Sequence, residues 1–208
     1  MRVIVTFSGG KDSLAALLWT REHITKNFTT VFCDTGWEHP LTYEYIHRIA
    51  DKLHLDLVTL KPKKYSYRGK DVRVFRSQFA DDLLRPVFDW SAQQVIDYIL
   101  AAGLEPNPLY KMGYKRVGCW PCVMANQRDI LNIARQAPER IDEIGNLETE
   151  LGYSFFGKDK IPARAIHSGN KYPNIHDVVR YVEWQNATGS LFDDDTATSC
   201  MSYYGLCE

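Results

Sequence analysis

The chain lacks any apolar run of the roughly 20 residues needed to cross a bilayer. It also lacks an excess charge of one sign, because 25 basic and 26 acidic side chains leave a formal net charge of −1 over 208 residues. Such a balance does not draw the whole molecule to nucleic acid or to an anionic membrane. The start, MRVIVTFSGGKDS, reaches glycine and charge too early for a signal-peptide core. We therefore expect a cytoplasmic protein with no membrane partner.

Cysteine is scarce, with five residues that are odd in number and unevenly spaced. This pattern does not fit the disulfide framework of a small secreted protein, and it favours a reduced compartment with a metal or redox role. Internal repeats and low-complexity tracts are missing as well. We predict a single domain over residues 1–208, made of a nucleotide-binding α/β core at 1–118 and a cysteine-bearing helical region at 119–208.

The first sixty residues alternate between strand and helix patterns. Short apolar runs at 2–7, 29–33 and 55–60 predict strands, and apolar residues at helical spacing fill the stretches between them. A βαβαβ order is typical of a parallel sheet with right-handed crossovers. We therefore predict an α/β fold with a doubly wound, Rossmann-like parallel sheet and a helical and irregular C-terminal part.

Later helices are marked by their starts. Ser91 and Gln94 form a capping-box pattern, and Pro138 suits a first helical turn. Apolar residues at helical spacing follow Ile130, and an amphipathic stretch runs from Val178 to Trp184.

A glycine-bearing loop joins the first strand to the first helix. Helix N-termini present free N–H groups and the positive end of the helix dipole, and the two glycines let backbone amides approach an anion closely. The loop residues therefore predict a phosphate site, with an ordinary glycine-rich turn as the alternative; they are Ser8, Gly9, Gly10, Lys11, Asp12 and Ser13.

Three blocks carry a family resemblance. The loop SGGKDS resembles the PP-loop of the adenine nucleotide α-hydrolase-like superfamily. The segment VFCDTGWEHPLTYEYI is similar to the DTG-x-x-x-P segment of the phosphoadenosine phosphosulfate (PAPS) reductase family, and the run from RPVFDW to NPLYKMG and GCWPC is similar to a later block of the same family. Together they cover about half the chain. The resemblance implies an adenine nucleotide-binding fold, with ATP, PAPS or adenosine phosphosulfate (APS) as the nucleotide.

By position, the resemblance places the loop residues on the phosphates, with Lys11 and Asp12 as catalytic residues. It places Asp34, Thr35 and Gly36 beside the nucleotide. Asp34 could accept from a ribose hydroxyl or exocyclic amine or help to hold Mg²⁺, or it could simply form the turn. Two arginines, Arg85 and Arg116, could pair with an anion or be ordinary surface or loop residues.

The cysteines offer a second kind of site. Cys119 and Cys122 form a C-x-x-C pair, and Cys200 with Cys207 raises the count to four thiols, which suits a [4Fe–4S] cluster or zinc; free thiols are the third possibility. The resemblance favours the cluster, because APS-using relatives hold one partly through the GC-x-PC pair. Cys33, at the end of a core strand, is expected to be a small buried hydrophobe.

The tail departs from the family pattern. Family reductases use a cysteine in an ECGLH-type motif, whereas this tail reads SCMSYYGLCE. Cys207 is the best nucleophile candidate by its position. Residues 61–84 also contain no cysteine, although cluster-bearing relatives contribute a pair from that region.

Three functions remain open at this stage. The first is an ATP-pyrophosphatase-type enzyme that adenylates a substrate before iron–sulfur-assisted sulfur transfer, and the second is a PAPS or APS reductase that releases sulfite. The third is a non-catalytic, nucleotide- or redox-sensing partner subunit. A thioredoxin-like reductant or a sulfur donor is the expected partner. The sulfur acceptor could be a small metabolite, a tRNA base or DNA.

Overall fold

The computed structural model describes residues 3–61, 63–67, 70–74 and 84–189, with side chains at 3–61 and 84–189. These residues form two compact units. The first holds 3–112 and 116–120, and the second holds 113–115 and 121–189. A single domain over 1–208 stays a prediction.

The first unit is built on a parallel sheet in the order β1-β2-β3. The register places Val5 opposite Thr30 and Thr30 opposite Leu57. A separate antiparallel pair, β4 and β5, follows. The helices and strands of this unit are β1 Ile4–Thr6, α1 Lys11–His23, β2 Thr29–Cys33, α2 Pro40–Leu53, β3 Asp56–Leu60, β4 Lys63–Tyr67, β5 Lys70–Val74, α3 Ala92–Ala101 and a short 3₁₀ helix at Pro108–Tyr110. The α/β class with a parallel sheet is therefore confirmed.

The core of this unit lies between the sheet and its helices. Phe7, Leu14, Leu17 and Ile46 are almost completely buried, and Val95 of α3 joins them. Leu14 and Leu17 lie one turn apart on α1, which places both on the face that packs against β1 and α3. Burial of each such side chain stabilises the fold by roughly 1.5–3 kcal/mol. The helix that follows the glycine loop is therefore firmly held by its apolar face.

The prediction that Cys33 is buried was wrong. Burial alternates along β2, so that Thr30 and Phe32 are buried while Cys33, the last residue of the strand, is exposed. Because successive strand residues point to opposite faces, Phe32 takes the core position and Cys33 does not.

The second unit is helical, as expected for this part of the chain. Its three α-helices pack against one another, and short 3₁₀ turns and loops connect the second to the third. Glu148 joins these parts, since its two carboxylate oxygens accept hydrogen bonds from the N–H groups of Phe155 (2.7 Å) and Ile175 (2.8 Å). The helices are α4 Gln127–Gln136, α5 Pro138–Leu151 and α6 Ile175–Ala187, with 3₁₀ turns at Lys158–Lys160 and Ala163–Ala165.

None of the helices in the described ranges combines the length and the apolar character that a membrane span requires.

Candidate functional site

The loop between β1 and α1 is closed on itself by its two serines. The hydroxyl and the N–H of Ser8 both donate to Ser13 Oγ, at 3.2 and 3.3 Å, and the Ser13 hydroxyl donates to the carbonyl of Gly10 at 3.0 Å. The N–H groups of Gly9, Gly10 and Asp12 meet no acceptor among the described residues. They are the unsatisfied amides expected at the N-terminus of a helix, and they favour an anion there.

Both the backbone conformation at position 9 and the packing around it favour glycine. Its φ of +84° is a conformation that other residues rarely adopt. A Cβ at this position would lie 2.9 Å from Thr42 Cγ2 and 3.0 Å from Ile46 Cγ1, and both of those side chains are buried in α2. The loop therefore keeps its shape only with glycine at position 9.

Two charged side chains lie at the start of α1. Lys11 Nζ is 2.7 Å from Asp12 Oδ2, and the side chains are only 10% and 16% exposed. The other carboxylate oxygen, Asp12 Oδ1, is buried without a hydrogen-bond partner. Lys11 Nζ also lies 6.0 Å from the centre of the Tyr110 ring. The loop thus combines a cation, free amides and one buried acceptor that could meet a ligand.

The segment 107–110 supports the loop from a distant part of the chain. Asn107, which is 1% exposed, donates from Nδ2 to the carbonyl of Gly9 at 3.2 Å, and its Oδ1 accepts from Leu109 N. The hydroxyl of Tyr110 accepts from Lys11 N at 3.0 Å. The NPLY block therefore fixes both ends of the glycine pair.

The turn after β2 lies at the same edge of the sheet, because β1 and β2 are adjacent and parallel. Asp34 N donates to the carbonyl of Leu60, which joins the turn to the end of β3. Asp34 Oδ1 accepts from Gly36 N at 2.9 Å, and Gly36 has a φ of +72°. The predicted residues Asp34, Thr35 and Gly36 therefore form a fixed turn beside the phosphate loop.

A second carboxylate completes this turn. Glu38 is buried and accepts from the Thr35 hydroxyl at 2.6 Å, and the hydroxyl of Tyr43 lies within hydrogen-bond distance of both Asp34 (2.7 Å) and Glu38 (2.9 Å). Burial, followed by the hydrogen bonds to the two carboxylates, raises the pKa of Tyr43 far above its ordinary value. The phenol therefore stays protonated and holds the two acids together.

Cys119 is held next to this turn. The backbone of Cys119 pairs with Glu38, and Trp120 N donates to the carbonyl of Trp37 at 2.7 Å. The ring of Trp120 meets the edge of His39 at a centroid distance of 4.4 Å. His39 in turn caps α2, because its Nδ1 accepts from Leu41 N. The first cysteine of the C-x-x-C pair is therefore exposed at the carboxyl edge of the sheet.

The remaining predicted residues are spread more widely. Arg85 is exposed, with its guanidinium 5.9 Å from the centre of the Phe88 ring, and Arg116 is half-buried in the segment that leads to Cys119. Cys122 belongs to the second unit, where its sulfur accepts from Met124 N at 3.4 Å. Cys200 and Cys207 lie outside the described residues, so their roles stay predictions.

The described residues do not by themselves form a metal centre. Across 3–61 and 84–189, where side chains are described, no group of three or more His, Cys, Asp or Glu residues is placed to hold a metal ion. They supply two of the four thiols predicted for a cluster, and these two belong to different units. The [4Fe–4S] cluster and the zinc alternative therefore stay predictions.

Several site residues were not singled out from the sequence. Glu38, Thr42, Tyr43 and Asn107 all stand within the quoted sequence blocks, but none of them was predicted as a site residue. A signal was present for Asn107, because a residue before proline is extended and an asparagine there can cap the turn that follows. The contact of Asn107 with Gly9 crosses 98 residues and has no local signature.

Two of the relatives that the chain resembles are uncharacterized proteins. An uncharacterized protein of Methanocaldococcus jannaschii is 25% identical over an alignment of 199 residues that covers 71% of this chain and 42% of that protein. An uncharacterized protein of Escherichia phage 186 is 29% identical over an alignment of 150 residues that covers 60% of this chain and 42% of the phage protein. The chain thus spans less than half the length of either relative.

Two further similarities concern named enzymes. An adenosine 5′-phosphosulfate reductase of Neisseria meningitidis is 46% identical over 41 residues, which is 20% of this chain and 17% of that enzyme. The chain is also similar to the crystal structure of phosphoadenylyl-sulfate reductase from Candida auris, a phosphate complex. The match covers 58% of this chain and 82% of the reductase chain, with 19% sequence identity and a TM-score of 0.46.

The model of the phosphoadenosine phosphosulfate reductase domain matches residues 2–82 and 70–125. This range includes the glycine loop, the turn after β2 and the NPLY block, and it exceeds half the chain. The chain therefore belongs to the phosphoadenosine phosphosulfate reductase domain family.

Proposed function

We propose that the chain is an adenine nucleotide-dependent enzyme of sulfur metabolism that binds the phosphates of ATP at residues 8–13 and adenylates an acceptor. The observation that carries this proposal is the preformed loop, in which three N–H groups have no acceptor among the described residues and Gly9 cannot be replaced without a clash. Preorganised amides of this kind stabilise charge that develops on phosphate oxygens.

The chemistry needs little more than positioning and charge. An oxygen of the acceptor attacks the α-phosphorus, a P–O bond forms, the bond to the β-phosphate bridging oxygen breaks, and pyrophosphate leaves with the electron pair. The N–H groups of Gly9 and Gly10 and the ammonium of Lys11 would take up the charge on the leaving group. A sulfur nucleophile from a donor then displaces AMP from the adenylated carbon.

A divalent cation fits the same loop. Mg²⁺ is usually held by substrate phosphates, water and one or two carboxylates. Asp12 suits this role, because its Oδ1 is buried without a partner while Oδ2 is paired with Lys11. Mg²⁺ bound there would neutralise phosphate charge. Asp12 would then orient the phosphates, and Lys11 would add its positive charge beside the leaving group.

A sulfonucleotide reductase is the second candidate, favoured by the 46% identity over 41 residues to an adenosine 5′-phosphosulfate reductase. In that reaction a cysteine thiolate attacks the sulfur of PAPS or APS. An S–S bond forms, the S–O bond to the phosphate breaks, and the adenosine phosphate leaves. A thioredoxin-like dithiol would then reduce the thiosulfonate and release sulfite. Cys207 is the proposed nucleophile.

Pyrophosphate release from ATP and Mg²⁺ tests the first candidate. We expect release by the wild type and a loss of roughly 100-fold or more in Lys11→Ala, the order of magnitude for removing one charge-stabilising donor. Lys11→Gln provides a second variant that keeps the buried volume. Lys26→Ala, at an exposed lysine in the turn before β2, is the matched control. Equal release by Lys11→Ala and the control would contradict the proposal.

Sulfite release from PAPS or APS with a dithiol reductant tests the second candidate. Turnover that is lost in Cys207→Ser and kept in Cys33→Ser would replace adenylation with reduction as the activity. Nucleotide binding with neither turnover would contradict both enzymes and leave the non-catalytic partner subunit. Iron and zinc analysis of the anaerobically purified protein tests the predicted cluster separately.

A further inference from the structure

The second unit contains a cavity that lies outside the matched family domain. Its volume is about 320 Å³, within the range of small-ligand pockets. The lining combines two arginines, a histidine and two aromatic side chains: Arg164, Ala165, His167, Arg180, Tyr181 and Trp184. The phosphate loop, the turn after β2 and the cysteines contribute nothing to it.

The aromatic wall is formed by one turn of α6. Tyr181 and Trp184 lie three residues apart on the helix, with ring centroids 6.0 Å apart and planes inclined by 29°. Trp184 remains 56% exposed. A large flat apolar surface at the mouth of a cavity suits a planar ring system, because stacking on it removes apolar area from water.

The cationic wall is held in place by a buried acid. Asp177 is almost fully buried and accepts from the N–H groups of His167 (3.0 Å) and Ser168 (3.2 Å), which fixes the 163–168 segment against the start of α6. The same carboxylate lies 3.5 Å from the guanidinium of Arg180, whose side chain is 58% exposed. Asp177 thus positions the segment that carries His167 and one of the two arginines.

The charge around the cavity is the opposite of the chain's average. Between Lys158 and Trp184, five basic residues accompany three acidic ones, whereas the whole chain carries a net charge of −1. Guanidinium groups beside aromatic rings are the usual combination for a phosphate attached to a base.

We propose that this cavity binds one nucleotide of a single-stranded nucleic acid, with the base on Trp184 and a phosphate between Arg164 and Arg180. A strand fits better than a free nucleotide, because pockets for free ligands bury most of the ligand surface. Here Trp184 on the aromatic wall and Arg180 on the cationic wall are each more than half exposed, so that neighbouring nucleotides can continue into solvent. The site does not depend on the chemistry proposed for the phosphate loop.

Fluorescence anisotropy with a labelled single-stranded oligonucleotide, without ATP or PAPS, tests the proposal on the full chain. We expect Trp184→Ala to weaken binding roughly tenfold, the effect of losing one base–aromatic stack. Arg164→Gln and Arg180→Gln should each weaken binding and reduce the slope of log affinity against log salt by about 0.7. Tyr153→Ala and Arg135→Gln, at exposed residues elsewhere in this unit, are the matched controls.

Loss in the cavity variants together with wild-type binding in the controls supports the proposal. Equal binding by all variants overturns it. AMP binding that is as tight as that of the strand and is weakened by Trp184→Ala also overturns it, because the cavity would then be a mononucleotide site. Unchanged thermal unfolding of Arg180→Gln excludes a folding defect as the cause of any loss.

Discussion

The substitution Gly9→Ala separates two reasons for glycine in the phosphate loop. Gly9 and Gly103 have similar left-handed backbones, with φ of +84° and +70°, but a Cβ at Gly103 would meet nothing within 4 Å. Gly103→Ala should therefore cost only the backbone term of about 1–2 kcal/mol. Gly9→Ala adds the clash with Thr42 and Ile46, for which overpacking of a buried site costs about 1–3 kcal/mol.

The free energy of unfolding of both variants can be measured by urea denaturation. We expect Gly9→Ala to be less stable than Gly103→Ala by about 1–3 kcal/mol, and to lose ATP binding, because relief of the clash must move the loop or α2. Thr42→Ser removes the nearest methyl group, so the double variant should recover part of the loss. Equal destabilisation by the two alanines would refute the argument that packing on α2 shapes the loop.

Three further predictions concern the groups that hold the two units in shape. Asn107→Ala should lower the free energy of unfolding by about 1–3 kcal/mol and weaken ATP binding, because the buried carbonyl of Gly9 loses its donor, as denaturation and calorimetry would show. Glu148→Gln should cost about 1.5–3 kcal/mol, since an amide cannot accept from two N–H groups with both of its heavy atoms; Glu183→Gln, at an exposed position of α6, should be neutral by the same denaturation assay. Burial lowers the pKa of His39 below its ordinary value of 6.5, so that its contribution to stability is present above about pH 6.5 and is lost as the pH falls through the folded pKa. His39→Asn keeps a cap without titrating, and unfolding curves at several pH values should therefore show a smaller acid loss than in the wild type, whereas an identical slope would contradict the assignment.

The elements that sequence reasoning predicted correctly are those with local signals. The alternation of short apolar runs with helical spacing predicted β1, α1, β2 and α2, and the Ser91–Gln94 pattern is present as a complete capping box. The first strand of the hairpin, β4, was missed because its sequence, KKYSY, is polar and lacks an apolar periodicity.

The candidate site depends on local sequence signals and on contacts between distant parts of the chain. The loop residues could be predicted because glycine, lysine and serine carry their chemistry locally, next to a strand and a helix. The side chains that support the loop could not be predicted, because the N–H of Lys11 donates to the hydroxyl of Tyr110, which is 99 residues away in the sequence. Glu38 illustrates the same limit, since nothing in the letters EHP shows that Tyr43 will place a hydroxyl between this carboxylate and Asp34.

The Tyr43 hydroxyl between Asp34 and Glu38 also affects how these two carboxylates can accept further hydrogen bonds. A phenol can donate its one proton to only one carboxylate at a time, so Asp34 and Glu38 share a single donor while each keeps further donors from the turn. Removal of the Tyr43 hydroxyl would leave the two carboxylates facing each other without their shared hydrogen-bond donor. This is unfavourable, because like charges at short range repel. A ligand hydroxyl could offer Asp34 a further donor, beyond Gly36 N and the Tyr43 hydroxyl, at little cost. The tyrosine therefore keeps Asp34 in position without using the full capacity of its carboxylate to accept hydrogen bonds.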